Sequence, residues 1–251
     1  MSGHSKWSTI KRKKGAADAK KGKIFTKLVR EITTAARLGG GDAGANPRLR
    51  AAIAAAKAER MPAENIDRAI KKGTGDLDGP PVEETTYEGY GPGGVAILVE
   101  AQTDNRNRTS AEVRSAFNKN NGSPANVGSV SYLFKQQGQF TFDAAKYAEE
   151  ELMEVALEAG AEDVQNEGDV FVVVSDPKAF ATVLDHLEKA GMTYENAQLT
   201  MVPDTIVKVT GQDAERVLRL VEKLEDLDDV QNVYANFDID EADLERIAAA
   251  D

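Results

Sequence analysis

The chain has 251 residues, 41% of them apolar, so it is long enough to bury the core of one large domain or of two to three small ones. It has no Cys, which excludes disulfides, Cys-ligated zinc, iron–sulfur clusters and a thiol nucleophile, and it has no apolar run of about 18 residues, so no membrane span is expected. The net charge of −11 is uneven: residues 1–75 hold 18 Lys/Arg and 6 Asp/Glu, a net of +12, whereas residues 76–251 hold 13 Lys/Arg and 36 Asp/Glu, a net of −23.

Residues 1–15 show no regular period and are predicted to form a basic arm. A basic segment ahead of an acidic body is typical of a protein that binds a polyanion, and a solvated, disordered tail is the alternative. No apolar stretch follows the arm, so we expect mature protein rather than a secretory signal, with a mitochondrial presequence as the alternative. Trp7 either stacks on a base or anchors the arm to the following helices. The cations around it are Lys6, Lys11, Arg12, Lys13 and Lys14.

Three helices are predicted next. From about Asp18, apolar residues fall on one stripe of a helix that should end at the glycines of residues 39–41. The stripe consists of Ile24, Phe25, Leu28, Val29 and Ile32. The cations mostly off the stripe, which we include as candidate nucleic-acid contacts, are Lys20, Lys21, Lys23, Lys27 and Arg30.

The second helix should begin with Asn46 as N-cap and Pro47 as first residue. The third should begin at Pro62 and stop at Gly73. Their apolar faces are rich in Ala, so this bundle is expected to depend on the rest of the chain or on its ligand for stability.

Residues 74–94 are rich in Gly, Pro and acids and are predicted to be a boundary, with residues 89–94 as a turn. A strand (95–103), a helix (106–120) and a strand (129–135) should follow. Residues 139–202 then have the order β-α-β-β-α-β of a ferredoxin-like fold, with a hairpin turn at 167–168 and a helix that begins at Pro177.

A strand at 205–210, a helix at 213–227 and a strand at 230–239 supply a further β-α-β. Joined to residues 95–135, they complete a second ferredoxin-like set that the first set interrupts. The predicted fold is therefore α+β and multidomain: an N-terminal three-helix domain and two ferredoxin-like domains, one inserted in the other. The alternative is three successive domains, the last incomplete. The predicted domains are a basic helical domain (1–75), a split α+β domain (76–136 and 204–251) and an inserted α+β domain (137–203).

The loop 103–109 is a second candidate site. Arg106 and Arg108 lie beside the start of a helix, which suits a phosphate group. The alternative is helix capping by Asn105 or Asn107, with both arginines solvated.

No other motif indicates chemistry. The acidic run 222–229 is interpreted as a solvated helix end, with a divalent-ion site as the alternative, and His186 as structural. Since neither a nucleophile nor an acid/base pair stands out, we expect no enzymatic activity, no cofactor, no metal and no small-molecule substrate.

Dispersed blocks along the whole chain resemble the YebC/PmpR family, which includes the mitochondrial translational activator of cytochrome c oxidase. The chain departs from the family pattern at Arg60, where Asn usually precedes Met-Pro, and in the loop 120–127. The blocks that carry the resemblance are GHSKWSTIKRKK (3–14), DAKKGKIF (18–25), NPRLRAAI (46–53), MPAENIDRAIKKG (61–73), TDNRNRT (103–109), GSVSYLF (128–134) and LEDLDDVQNVYANFDI (224–239).

The resemblance implies a helical N-terminal domain and two α+β domains, one inserted in the other. It also implies a cytoplasmic, non-catalytic protein whose relatives are described as DNA-binding transcriptional regulators or as ribosome-associated factors that help translation through proline runs. The loop 103–109 becomes a secondary candidate. The contact residues that the resemblance implies are Lys6, Trp7, Lys11, Lys13, Lys14, Lys20, Lys21 and Lys23.

Our first hypothesis is a DNA-binding regulator of transcription that uses the basic arm. Its main rival is a translation factor that contacts ribosomal RNA or tRNA, because a Lys-rich arm without a recognition helix suits an RNA tunnel better than a major groove. A hydrolase or nuclease, the third possibility, would need a metal or nucleophile cluster.

Overall fold

The computed structural model describes residues 21–250, without the side chains of residues 21, 241 and 248–250. The chain forms two compact units: an inserted unit of residues 132–205, and an outer unit that comprises the described residues on both sides of it. The outer unit contains both the helical region and a sheet, so contacts group residues 21–75 with the split domain, and the division into three domains stays a prediction. Within the described residues, no helix is long and apolar enough to cross a membrane.

The fold is α+β, as predicted: helices come first and antiparallel sheets follow. In chain order the helices are α1 Lys21–Gly39, α2 Pro47–Ala58, α3 Ala63–Thr74, α4 Arg106–Lys119, α5 Glu149–Glu158, α6 Phe180–Lys189, α7 Gly211–Glu225 and α8 Glu241–Ala250. The strands are β1 Glu83–Tyr90, β2 Ala96–Thr103, β3 Ser123–Ala125, β4 Phe134–Asp143, β5 Asp163–Asn166, β6 Val170–Ser175, β7 Asn196–Pro203, β8 Val207–Lys208, β9 Val230–Ala235 and β10 Phe237–Asp238.

The first helix ends, and the second begins, where the sequence indicates. α1 ends at Gly39, and Gly40 follows with φ of +85°, a conformation that glycine adopts without steric cost. Asn46 caps α2, since its side-chain oxygen accepts a hydrogen bond from the backbone N–H of Leu49 at 3.1 Å. A small apolar core with Ile32 and Leu49 fully buried joins the three helices.

The predicted stop of the third helix at Gly73 is wrong. α3 continues through Gly73 to Thr74, and Gly75 caps it with φ of +87°. Gly73 is instead a point of close helix packing, because a Cβ there would lie 2.4 Å from the backbone oxygen of Thr33 and 2.7 Å from the Cβ of Ala36 on α1. The glycine therefore lets α3 pack directly against α1, which the sequence alone did not reveal.

Arg60 has a left-handed backbone in the turn between α2 and α3, with φ of +61°. This conformation brings the Cβ of an L-residue too close to the neighbouring backbone, and Asn or Gly adopts it at lower cost. The departure from the family pattern at this position therefore coincides with a strained residue.

We expect Arg60→Gly to raise the free energy of unfolding by about 1 kcal/mol, because the substitution relieves this strain. Urea unfolding followed by circular dichroism measures the change. Ala54→Gly, at an exposed position inside α2, is the control and should lower the stability by about 1 kcal/mol. A loss of stability in Arg60→Gly similar to that of the control would contradict the strain argument.

The outer unit contains a strand that the sequence analysis missed. Its four-stranded sheet has the order β3-β1-β2-β9, and β1 lies in the segment predicted as a boundary. β1 pairs antiparallel with β2 from Glu83↔Thr103 to Tyr90↔Ala96. Its acids and glycine obscured the strand pattern, yet Gly89 is needed there, because a Cβ would lie 2.5 Å from the ring of Phe117.

Two predicted strands are wrong. Residues 205–210 do not join the main sheet, since only β8 forms there and it pairs in parallel with β10. Residues 129–135 contain a short 3-10 turn, Ser131–Leu133, before β4 begins. In a ferredoxin-like sheet, residues 205–210 would have formed the strand next to β2, and β1 occupies that position instead. The sheet of the outer unit is therefore ferredoxin-like in its strand order, but its chain order is permuted and begins with the β1–β2 hairpin.

The inserted unit is ferredoxin-like, as predicted. Its sheet has the order β5-β6-β4-β7, with all neighbours antiparallel. α5 and α6 are the two helices of the β-α-β-β-α-β order, and the ring of Phe180 on α6 stacks on Phe140 of β4 at 4.8 Å between centroids. α6 begins three residues after Pro177, so the predicted start is wrong by one turn.

The buried carboxylate of Glu88 binds the loop that directly precedes the inserted unit. Glu88 on β1 is 3% exposed and accepts hydrogen bonds from the backbone N–H groups of Gly128, Val130 and Ser131, at 2.7, 2.6 and 3.0 Å. Burial by itself raises the pKa of Glu88, but these three bonds outweigh it and the pKa lies below its ordinary value. The charged side chain thus satisfies backbone donors that secondary structure leaves unpaired.

Candidate nucleic-acid interface

The structure describes five of the predicted contact side chains. Lys23, Lys27 and Arg30 lie on α1, and Arg106 and Arg108 lie in the first turn of α4. The remaining predicted contacts lie outside the described residues, and for Lys21 only the side chain does: Lys6, Trp7, Lys11, Arg12, Lys13, Lys14, Lys20 and Lys21.

Two of these arginines meet on one buried carboxylate. Asp229, which precedes β9, is 1% exposed. Its carboxylate pairs with the guanidinium groups of Arg30 and of Arg108, the latter at 2.7 Å. The hydroxyl groups of Thr109 and Thr103 also donate to it, that of Thr103 at 3.2 Å. Asp229 therefore joins α1, the start of α4 and the start of β9.

The environment of Asp229 stabilises its charged form. Burial by itself raises the pKa of this carboxyl group, but the Thr109 hydrogen bond and the two guanidinium groups outweigh that effect, so the pKa lies below its ordinary value. The hydrogen bonds that Arg108 donates to Asp229 and, at 3.0 Å, to Asp104 hold the pKa of its guanidinium group above its usual range. Both arginines thus neutralise an internal charge, and their guanidinium groups are already engaged.

Two lysines of α1, Lys23 and Lys27, face the acidic run that was interpreted as solvated. The ammonium group of Lys23 pairs with Asp226 at 3.1 Å, and that of Lys27 donates to the backbone oxygen of Glu225 at 3.1 Å. Burial lowers the pKa of Lys27, more than the nearby acids raise it. The helix ends within this run and Asp226 and Asp228 are exposed, so the interpretation of residues 222–229 as a solvated helix end holds for these two acids, but it is wrong for the buried Asp229. The run also supplies the partners of the cations on α1.

A second polar cluster attaches the helical region to the sheet. Arg48 on α2 donates to both carboxylate oxygens of Glu31, at 2.7 and 2.9 Å, and to Glu84 of β1 at 2.7 Å. The side-chain amide of Gln102 on β2 donates to Glu31 at 2.6 Å. The Arg48 hydrogen bond, more than any other contact, lowers the pKa of Glu84. In this cluster a further cation of residues 1–75, Arg48, is paired with acids of the protein itself.

Other cations of the helical region form no ion pair among the described residues, although the charge of Arg37 helps to lower the pKa of Glu84. Arg37 of α1 and Lys72 of α3 line a cleft of about 310 Å³ between these helices and residues 75–82, in which Asp78 is the one acid. Among the described residues, the exposed cations of α2, of the following turn and of α3 that form no ion pair are Arg50, Lys57, Arg60, Arg68 and Lys71, and Arg50 donates only to the backbone oxygens of Ala43 and Gly44. No local motif distinguishes these cations, although the net charge of residues 1–75 includes them.

Arg106 differs from Arg108 although they are two residues apart. Its side chain is 67% exposed, and its closest acid is Glu83 at 4.0 Å. Asn105 caps α4 by accepting from the backbone N–H of Arg108 at 3.1 Å, so the capping predicted for this loop is present. In the loop 103–109, Arg106 is therefore the arginine whose charge faces solvent.

Comparisons with known proteins agree with this architecture. The TACO1/YebC N-terminal domain matches residues 5–76, and the TACO1/YebC second and third domain matches residues 82–237. The chain belongs to the TACO1/YebC family. The two matches meet between α3 and β1, and the second includes all of the inserted unit.

Similar proteins match this chain over nearly its whole length. A protein from Geobacter sulfurreducens named "Probable transcriptional regulatory protein" is 58% identical over 98% of this chain and all of its own length. One of the same name from Geotalea uraniireducens is 59% identical with the same coverage. A conserved hypothetical protein from Aquifex aeolicus of known crystal structure is 51% identical, with a TM-score of 0.81 over 89% of this chain and 93% of its own.

Proposed function

We propose that this protein is a non-enzymatic regulator of gene expression that binds nucleic acid, with DNA as the first candidate, through its basic N-terminal region. The observation that carries the proposal is the division of charge, +12 in residues 1–75 against −23 in residues 76–251. The names of the relatives support a role in transcription.

The contacts of the described cations narrow the proposed interface. Lys23, Lys27, Arg30 and Arg108 are engaged with the α7–β9 segment of the protein itself, so we assign them a structural role. Residues 1–20 hold six Lys/Arg against one acid, a net of +5, and we assign the main contacts to them. The exposed cations on α2 and α3, with Arg106, would supply further phosphate contacts, which position nucleic acid without reading its sequence.

A second candidate is a translation factor that contacts ribosomal RNA or tRNA. The exposed face of α3 favours it, because Glu64 and Asp67 lie there beside Arg68 and Lys71. Acids on a helix repel the phosphates that flank a DNA major groove, so α3 is a poor recognition helix. Contacts with a folded RNA require no such helix.

Crosslinking in cells, followed by sequencing of both bound DNA and bound RNA, tests the proposal. Enrichment of defined DNA segments supports the transcriptional role, and enrichment of ribosomal RNA or tRNA supports the second candidate. Absence of enrichment in both pools would refute nucleic-acid binding. Turnover of nucleic acid by the purified protein with magnesium or manganese would refute the non-enzymatic assignment.

Substitutions of the two arginines in the loop 103–109 should have different effects, on stability for Arg108 and on nucleic-acid binding for Arg106. We expect Arg108→Ala to lower the free energy of unfolding by about 2 kcal/mol, since it removes a charged hydrogen bond from the buried Asp229. Arg106→Ala should change stability by less than about 0.5 kcal/mol and should weaken nucleic-acid binding by about two- to threefold, as expected for loss of one phosphate contact. Urea unfolding and fluorescence anisotropy measure the two quantities. Wild-type affinity in Arg106→Ala would leave that arginine without a role in binding.

A further inference from the structure

The inserted unit has one long, uncharged strand at the edge of its sheet. β7 is eight residues long with the sequence NAQLTMVP, and among the described residues it pairs on one side only, with β4. Natural edge strands are usually short or guarded by charged side chains. The opposite edge of the same sheet follows that rule, because β5 has four residues and includes Asp163.

The hydrogen-bond register shows which backbone groups of β7 face outward. The N–H of Asp204, directly after β7, donates to the oxygen of Leu133 at 2.8 Å, in register with the pair Phe134↔Pro203. Bonded pairs alternate along an antiparallel ladder, so the even-numbered residues of β7 bond to β4. On the other side of β4, the N–H of Ala144, directly after β4, donates to the carbonyl oxygen of Asp169, directly before β6, at 3.0 Å. By the same alternation, the even-numbered residues of β4 bond to β6 and its odd-numbered residues bond to β7, which agrees with the first assignment.

The outward groups of β7 therefore belong to its odd-numbered residues. Ala197, Leu199 and Met201 each direct an N–H and a C=O away from β4, and Pro203 ends the row without an N–H. Leu199 is 43% exposed and offers an apolar contact at the same edge.

The charges around this edge indicate the chemistry of its partner. Residues 132–205 hold four Lys against fifteen Asp and Glu, a net of −11. Exposed acids lie at both ends of β7. Glu195 precedes it, and Asp204, which pairs with Lys135 at 3.0 Å, follows it. Nearby, Glu188 accepts from the Tyr194 hydroxyl at 2.8 Å. A second copy of this unit would bring like charge against like charge, whereas a cationic strand would be attracted.

We propose that the outer edge of β7 binds an extended, Lys/Arg-rich segment of a protein partner by strand addition. The backbone groups of Ala197, Leu199 and Met201 pair with the added strand, Leu199 contacts one of its apolar side chains, and the surrounding acids select for cations. The interaction is independent of nucleic-acid binding and gives the acidic inserted unit a role of its own.

The test is a titration of the ¹⁵N-labelled full-length protein with a ten-residue peptide that alternates Lys and Val. We expect the amides of Leu199 and Met201 to become protected from hydrogen exchange, while those of Gln198 and Thr200 are already slow without peptide. The matched peptide that alternates Glu and Val should bind at least about tenfold more weakly, because its charges repel the acids. Amides of β7 that stay unprotected at saturation would overturn the proposal.

Two variants separate strand addition from simple charge attraction. Met201→Pro removes an outward N–H but no hydrogen bond to β4. It should weaken the binding of the Lys–Val peptide at least about fivefold. Leu199→Lys keeps the backbone donors and should weaken the binding of the same peptide, because the new lysine repels the lysines of the peptide. This variant also tests the proposal if the proline variant fails to fold. Undiminished binding in the folded proline variant, or in Leu199→Lys, would overturn the assignment. Self-association through β7 in sedimentation would do the same, since it would make a second copy the occupant.

Discussion

Asp229→Asn is expected to lower the free energy of unfolding of the outer unit by about 3 kcal/mol. The substitution keeps the shape of the side chain but removes the charge that two guanidinium groups share, and breaking a partly buried ion pair from one side leaves the other charge uncompensated. The amide also replaces an acceptor with a donor opposite Thr103 or Thr109. Urea unfolding followed by circular dichroism measures the loss.

Asp226→Asn is the matched control, three residues away on the same acidic run. Its partner Lys23 is 43% exposed and Asp226 itself 47%, so this pair should contribute less than about 1 kcal/mol. A similar loss in both variants would mean that the run acts through its total charge. A loss confined to Asp229→Asn would assign the effect to the buried cluster.

Acid pH should reveal the same cluster in the unaltered protein. Since the pKa of Asp229 is lowered in the folded state, its contribution to stability is complete above its ordinary pKa of 3.8 and is lost as the pH falls through the depressed folded value. The difference in unfolding free energy between wild type and Asp229→Asn should therefore be constant near neutral pH and shrink below about pH 4. A difference that grows towards low pH would contradict the sign of the shift.

Removal of residues 1–15 should abolish detectable nucleic-acid binding and leave the body folded. The deletion removes Lys6, Lys11, Arg12, Lys13 and Lys14, whereas Lys23, Lys27 and Arg30 of α1 are bound to the protein itself. Loss of five phosphate contacts corresponds to an affinity decrease of at least about a hundredfold at moderate salt. Gel-shift assays with DNA and pelleting with ribosomes measure it for both candidate ligands.

The salt dependence adds an independent measure. With about six phosphate contacts, log K against log salt should have a slope near −5 for the full-length protein and a much smaller one for the truncation. The double substitution Lys178→Ala and Lys189→Ala in the inserted unit removes exposed cations elsewhere and should leave both affinity and slope unchanged. Undiminished binding by the truncated protein would move the site to the cations of α2, α3 or Arg106.

Local patterns predicted much of the fold. The N-cap of α2 at Asn46, the end of α1 at Gly39 and the β-α-β-β-α-β order of the inserted unit depend on neighbouring residues and on apolar period, which the sequence displays directly. β1 escaped this reasoning because its strand character comes from pairing with β2 and from the packing of Phe117 on Gly89, both distant in sequence. α8, with Leu244 and Ile247 in the outer core, was missed as well.

The chain's own order of residues therefore determined the division of charge, the α+β class and the nesting of one set of strands within another. Only the tertiary structure decided which cations remain available to a ligand. The carboxylate of Asp229 lies 199 positions after Arg30 and 121 after Arg108 in the chain, yet it binds both. No local pattern reports such a pairing, because an ion pair between distant segments exists only once the chain has brought them together and excluded water from between them.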